Sequence, residues 1–155
     1  MRFHVNQTRK DFILKKASIV LIYLITTVVF GQQGEFSIRI HDCVFTASAA
    51  DSPDKQIKGL MHVTDMPSDR GMLFIFEPMK QASFWMKNTL IPLDIIFLDD
   101  TATITELHPN RLPETISITR SKQPIKYAIE LNANSIRLCA IQTGDTVLIT
   151  PTEQD

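Results

Sequence analysis

The sequence predicts an α+β domain, mostly antiparallel β, folded as a curled sheet or small barrel-like domain with two short helices. Three observations carry this. Short runs such as "EFSIRI" (Glu35 to Ile40) and "ATITEL" (Ala102 to Leu107) alternate polar and apolar residues, the period of a half-buried strand. Helix signals occur at only two short places. The spacing between successive strand runs is mostly hairpin-like and not that of repeated strand–helix–strand units.

The elements follow in order. After Glu35 to Ile40, "CVFTASAA" (Cys43 to Ala50) is a weaker second strand. Ser52 can cap a helix, Pro53 suits its first position and Asp54 favours its positive end, so a helix should run to about Leu60. Val63 to Gly71 is a loop by its Pro, Ser, Asp and Gly content. "GMLFIF" (Gly71 to Phe76) is an apolar run of strand length, and "EPMKQ" should then turn the chain. "ASFWM" reads as a strand that "KNTLIPL" breaks, because Pro92 cannot donate to a central ladder. "DIIFLDD" and "ATITEL" form a hairpin around Asp99 to Thr101. His108 to Pro124 reads as a long loop, "KYAIEL" as a strand, "NANSIRLCAI" as a short helix and "QTGDTVLI" as a turn and final strand.

The first 31 residues form a separate segment. Arg2, Arg9, Lys10, Lys15 and Lys16 precede the uncharged run Ala17 to Phe30. A basic start, an apolar stretch and then small residues make a secretory signal pattern, and Val29 and Gly31 suit a cut at Gln32. The alternative is an uncleaved anchor, although the run is shorter than the roughly 20 apolar residues of a spanning helix. The expected location is periplasmic or secreted, with residues 32–155 as one domain and the membrane reached only through the N-terminal segment. Beyond Gly31 the chain keeps eleven Lys/Arg against sixteen Asp/Glu, net −5. That acidic balance argues against nucleic acid, whose binders neutralise phosphate with Lys and Arg. Cys43 and Cys139 can pair in an exported protein. The apolar stretch around Cys139 tips the expectation toward two buried free thiols.

Five segments carry a resemblance. They are "GLM" (Gly59 to Met61), "DRGMLFIF" (Asp69 to Phe76), "FWMKNTLIPLDIIFLD" (Phe84 to Asp99), "YAIELNA" (Tyr127 to Ala133) and "GDTV" (Gly144 to Val147). Together they resemble the bacterial and archaeal family called domain of unknown function 192, over roughly Phe45 to Ile149. The resemblance implies a compact, mostly β domain, often exported, with no agreed activity. Two positions depart from it. Asn134 stands where relatives often have Gly, and Asn can still take the left-handed conformation. Asn110 to Pro124 lacks the Cys-Pro-Cys-like loop of some relatives.

The ligand-binding candidates are Arg70, Trp85, Lys87, Asn88 and Asp94. Trp85 either plugs the core, with Lys87 reaching past it to water, or floors a pocket in which Lys87 and Asn88 converge. An exported Trp beside Asn and Asp also suits stacking on a sugar. Asp94 sits in an apolar run, where an unpaired charge is costly. Arg70 and Lys87 are candidate partners; otherwise Asp94 accepts backbone N–H bonds and fixes the Lys87 to Pro92 loop. It is also the one weak catalytic candidate, an acid/base group with a shifted pKa. Glu106 and Glu130 are the other carboxylates on strands near the motif. Asp65 and Asp69 are an unspecific metal pair, and His41, His62 and His108 show no ligand spacing. No phosphate loop, nucleophile elbow or His-Glu-x-x-His is present, so no cofactor is expected. Three function classes follow: a small-molecule or glycan binding module, a hydrolase using Asp94, or an interaction protein presenting a sheet edge or Met61, Met66, Met72, Met79 and Met86.

Overall fold

The computed structural model describes residues 34–152, and the expected signal segment lies outside the described residues. Nine strands and two short helices follow one another: β1 (Glu35–Ile40), β2 (Cys43–Ala50), α1 (Pro53–Lys58), β3 (Arg70–Lys80), β4 (Ser83–Phe84), β5 (Leu93–Leu98), β6 (Ile104–Arg111), β7 (Thr119–Arg120), β8 (Ile125–Asn132), α2 (Ser135–Leu138) and β9 (Leu148–Pro151). Seven strands make one sheet in the order β6-β5-β8-β3-β2-β1-β9, and β4 pairs with β7 in a separate ribbon. The sheet curls without closing into a barrel. At one end its two borders are joined by the Thr103–Thr146 bridge.

All the named pairings are antiparallel except one: β2 and β3 run parallel. This one pair departs from the mostly hairpin-like spacing expected of the strands. A parallel pair needs a crossover of a dozen or more residues, and α1 with the loop to Asp69 supplies it. Ser52 caps α1, and the helix ends at Gly59, which has φ +47°. Three boundaries also move. "EPMKQ" does not turn the chain: β3 runs on to Lys80, and its pairing with β8 shifts between Ile75 and Lys80. Pro78 sits in that irregular part, where no ladder donor is required. "ASFWM" shrinks to the two residues of β4, because Trp85 and Met86 leave the ribbon. The expected long loop is shortened at its start, since β6 continues to Arg111, and is interrupted by β7. Pro109 is tolerated because β6 lies at the border of the sheet.

Strand β5 is buried along its whole length. Alternate residues therefore serve two cores. Ile96 and Leu98 face Leu73, Ile129 and Leu131 on the first face of the sheet. Ile95 and Phe97 face Phe74, Phe76 and Ala128 on the second. The β4–β7 ribbon covers that second face: the Phe84 ring lies 5.0 Å from Phe74 edge-on and 5.4 Å from Phe97. The "FWMKNTLIPLD" stretch is thus a ribbon strand and a central strand in different layers. It is not a simple hairpin.

Cys43 and Cys139 form a disulfide with Cα atoms 6.0 Å apart, which overturns the expectation of free thiols. The start of β2 meets the end of α2 across 96 residues, a proximity that only the folded topology creates. Closing so long a loop restricts the unfolded chain. Replacing both cysteines by Ser should lower the unfolding free energy by about 4–5 kcal/mol, read from urea denaturation against the oxidised protein.

Candidate functional site

Four of the five sequence segments named above converge on one cleft. It is lined by α1 and Gly59 to Met61, by Lys80 to Trp85, and by Phe74, Phe76 and Glu130. The cleft has a volume of about 440 Å³, within the range of small-molecule sites. Trp85 stands at its rim and is 49% exposed. The rings of Phe74, Phe76 and Phe84 supply an aromatic lining.

Glu130 follows from the strand register. On β8, Ile129 and Leu131 enter the first core, so Ala128 and Glu130 point to the second face. Glu130 pairs with Met72 on one side and Ile95 on the other. It is only 5% exposed, and its Oε2 has no hydrogen-bond partner among the described residues. Burial pushes its carboxyl up to about 8, so it is largely neutral at pH 7 and can donate as well as accept. Gly59 keeps this end of the cleft clear. A Cβ there would lie 3.4 Å from the Phe74 ring and 3.7 Å from Glu130 Oε2.

The sequence-predicted residues separate. Only Trp85 lines the cleft. Lys87 lies over the Trp85 ring, 5.9 Å from its centroid, and is exposed, as is Asn88. Asn88 holds φ +58°, and its carbonyl accepts from the His62 N–H at 2.8 Å, a loop-building role. Arg70 pairs with Glu35 at 2.7 Å on the surface. Asp94 is fully buried but pairs with neither Arg70 nor Lys87. Its Oδ1 accepts from the Asn110 N–H at 2.7 Å and its Oδ2 from the Ile136 N–H at 2.8 Å. It therefore ties β6 and the first turn of α2 to β5, and does not fix the Lys87 to Pro92 loop.

Glu106, His108 and Arg111 gather on β6 without lining the cleft. His108 Nε2 and Glu106 Oε2 are 3.4 Å apart, and the imidazole lies 4.9 Å from the Phe97 ring. Burial lowers the His108 pKa against the opposing pull of Glu106. Among the described residues no group of three His, Cys, Asp or Glu side chains is placed to hold a metal ion.

The family model DUF192, described as "Uncharacterized ACR", matches residues 36–149. Two solved structures are similar. One is a protein of Sinorhizobium meliloti 1021, provisionally described as a transcription regulator. It shares 31% identity at a TM-score of 0.70, over 75% of this chain and 92% of its own. The other is a protein of unknown function from Novosphingobium aromaticivorans DSM 12444, 31% identical at a TM-score of 0.71, over 78% of this chain and 89% of its own. No curated protein matches.

Two carboxylates can be told apart by experiment. Asp94→Ala removes the acceptor of two buried backbone donors and should cost about 3 kcal/mol of stability, seen in urea denaturation. For Glu130 the sign is opposite to that of the usual carboxylate. The folded state holds its proton between about pH 4.5 and about 8, where the unfolded chain has released it. Stability therefore falls as pH rises through that window, by up to about 1.4 kcal/mol per pH unit. Glu130→Gln should remove this slope, measured as the wild-type-minus-variant difference in unfolding free energy.

Proposed function

The chain belongs to the DUF192 family, and from that premise we propose that it is a small-molecule-binding module whose site is the cleft beneath Trp85. One observation carries the reading: a buried carboxyl with a partnerless oxygen, Glu130, sits in an aromatic cleft open to solvent. An unsatisfied buried polar atom costs about 1–3 kcal/mol. A ligand that supplies its hydrogen bond recovers that cost. Trp85 at the rim offers a flat face for a ring, whether aromatic or sugar.

Binding is favoured over hydrolysis. Asp94 spends both oxygens on backbone N–H groups, and Glu130 is the sole carboxylate among the residues lining the cleft. A two-carboxylate glycosidase needs a partner there. The Cys43–Cys139 bridge supports an exported location, where disulfides persist. The regulator description of one similar structure is not carried over, because the net −5 of residues 32–155 offers little to neutralise phosphate.

The single tryptophan reports on the site. Titrating monosaccharides, aromatic acids and nucleobases should give, for one class, a saturable change in Trp85 emission. Calorimetry with the responding class should then show Trp85→Ala and Glu130→Leu each weakening binding about tenfold or more, with Glu130→Gln close to wild type at pH 7. Glu130→Leu binding as well as wild type would sink the proposal.

A further inference from the structure

The rim of the cleft carries a second piece of chemistry. Lys80 extends along one wall with its Nζ 4.8 Å from the Phe76 ring centroid and 3.2 Å from Gln56 Oε1. Gln56 is itself locked. Its Nε2 donates to the Ile75 carbonyl at 2.8 Å and to the Ala50 carbonyl at 3.4 Å. With the amide nitrogen committed to two carbonyls, only the oxygen remains for Lys80. The ammonium is thus held by two neutral groups, and no carboxylate lies within ion-pairing distance of it among the described residues. Lys58, in the last turn of α1, lines the same cleft. Glu130, Lys58 and Lys80 are the only ionisable side chains there. In a chain with an acidic surplus, two lysines at the rim and one buried carboxyl make a polarity that selects by charge.

We infer that the cleft takes small amphipathic anions: a ring-bearing apolar body against Phe74, Phe84 and Trp85, a hydrogen-bonding group at Glu130, and an acidic group at Lys80. This deepens the binding reading and rests on it. An ammonium held by a neutral amide over a ring face keeps donors for a carboxylate or phosphate oxygen. A cationic ligand would meet two like charges on the way in. A neutral one would leave Lys80 as it is.

Three probes with the same ring and hydroxyl separate charge from shape: 4-hydroxyphenylacetate, 4-hydroxyphenylacetamide and tyramine, each titrated calorimetrically into the full chain. The acid should bind about tenfold more tightly than the amide, the size of one charge-assisted hydrogen bond. The amine should bind weakest, and added salt should narrow the gap. Lys80→Gln should bring the acid down to the level of the amide, and Lys80→Arg should keep the preference. Thermal melts establish that both variants fold. Equal affinity for all three, or tightest binding of the amine, overturns the charge inference and leaves the cleft reading standing. No binding of any probe by folded protein overturns the charge inference, and the cleft reading falls with it only if the monosaccharides and nucleobases also leave Trp85 emission unchanged.

Discussion

The constraint on which this structure depends is that β5 has no solvent face. Leu93 to Leu98 are buried in succession, so both surfaces of the sheet must be covered. The first surface is covered by the curl of the sheet itself, which brings Ile38, Ile40 and Phe45 over Ile96 and Leu98. The second is covered in part by the β4–β7 ribbon, whose Phe84 ring meets Phe74 edge-on and Phe97 at a tilt. The ribbon is two residues long on each side. The cleft is lined by residues of the ribbon and of α1, with Phe74, Phe76 and Glu130 of the sheet among them.

Much of this was legible in sequence because it is written in local patterns. Alternation in "EFSIRI", the Ser52-Pro53-Asp54 start and the apolar run Ile95 to Leu98 of β5 each report on one element and its immediate burial. The left-handed Asn134, φ +75°, was legible only through the resemblance, which puts Gly there, and Asn tolerates the same conformation. What escaped notice depends on long-range meeting. The Cys43–Cys139 bridge joins residues 96 apart. The parallel β2–β3 pair reads locally as a strand, a helix and a strand, with no sign of which neighbours pair. Lys87 and Asn88 drew attention by proximity to Trp85 along the chain, yet the chain leaves the ribbon there and takes them out of the cleft.

Glu130 carried a signal that was available. In "YAIELN" it alternates with Ile129 and Leu131, so it must share a face with Ala128. Its neighbour β5 is buried on both faces, and the residues on the face that Glu130 shares, Ile95 and Phe97, are apolar. A carboxyl beside such a strand has no solvent face to reach, and burial follows from the two patterns read together. Strand order was the missing information: placing β8 between β5 and β3 is a fact of topology.

The two buried carboxyls on adjacent strands then show how one sheet divides structure from chemistry. Asp94 stands opposite Leu131 and Glu130 opposite Ile95. Directly opposed residues point to the same side of a sheet, so these two acids point to opposite faces. Asp94 has each oxygen bonded to a backbone N–H, and its charge is absorbed in joining β5 to β6 and α2. Glu130 has an oxygen with no partner and a cleft above it. A residue retained only for packing at that position would be better served by an apolar side chain, since burial without a hydrogen bond is destabilising. The fold tolerates the cost at Glu130 and avoids it at Asp94. That difference, more than the exposure of Trp85, supports the proposed site at Glu130.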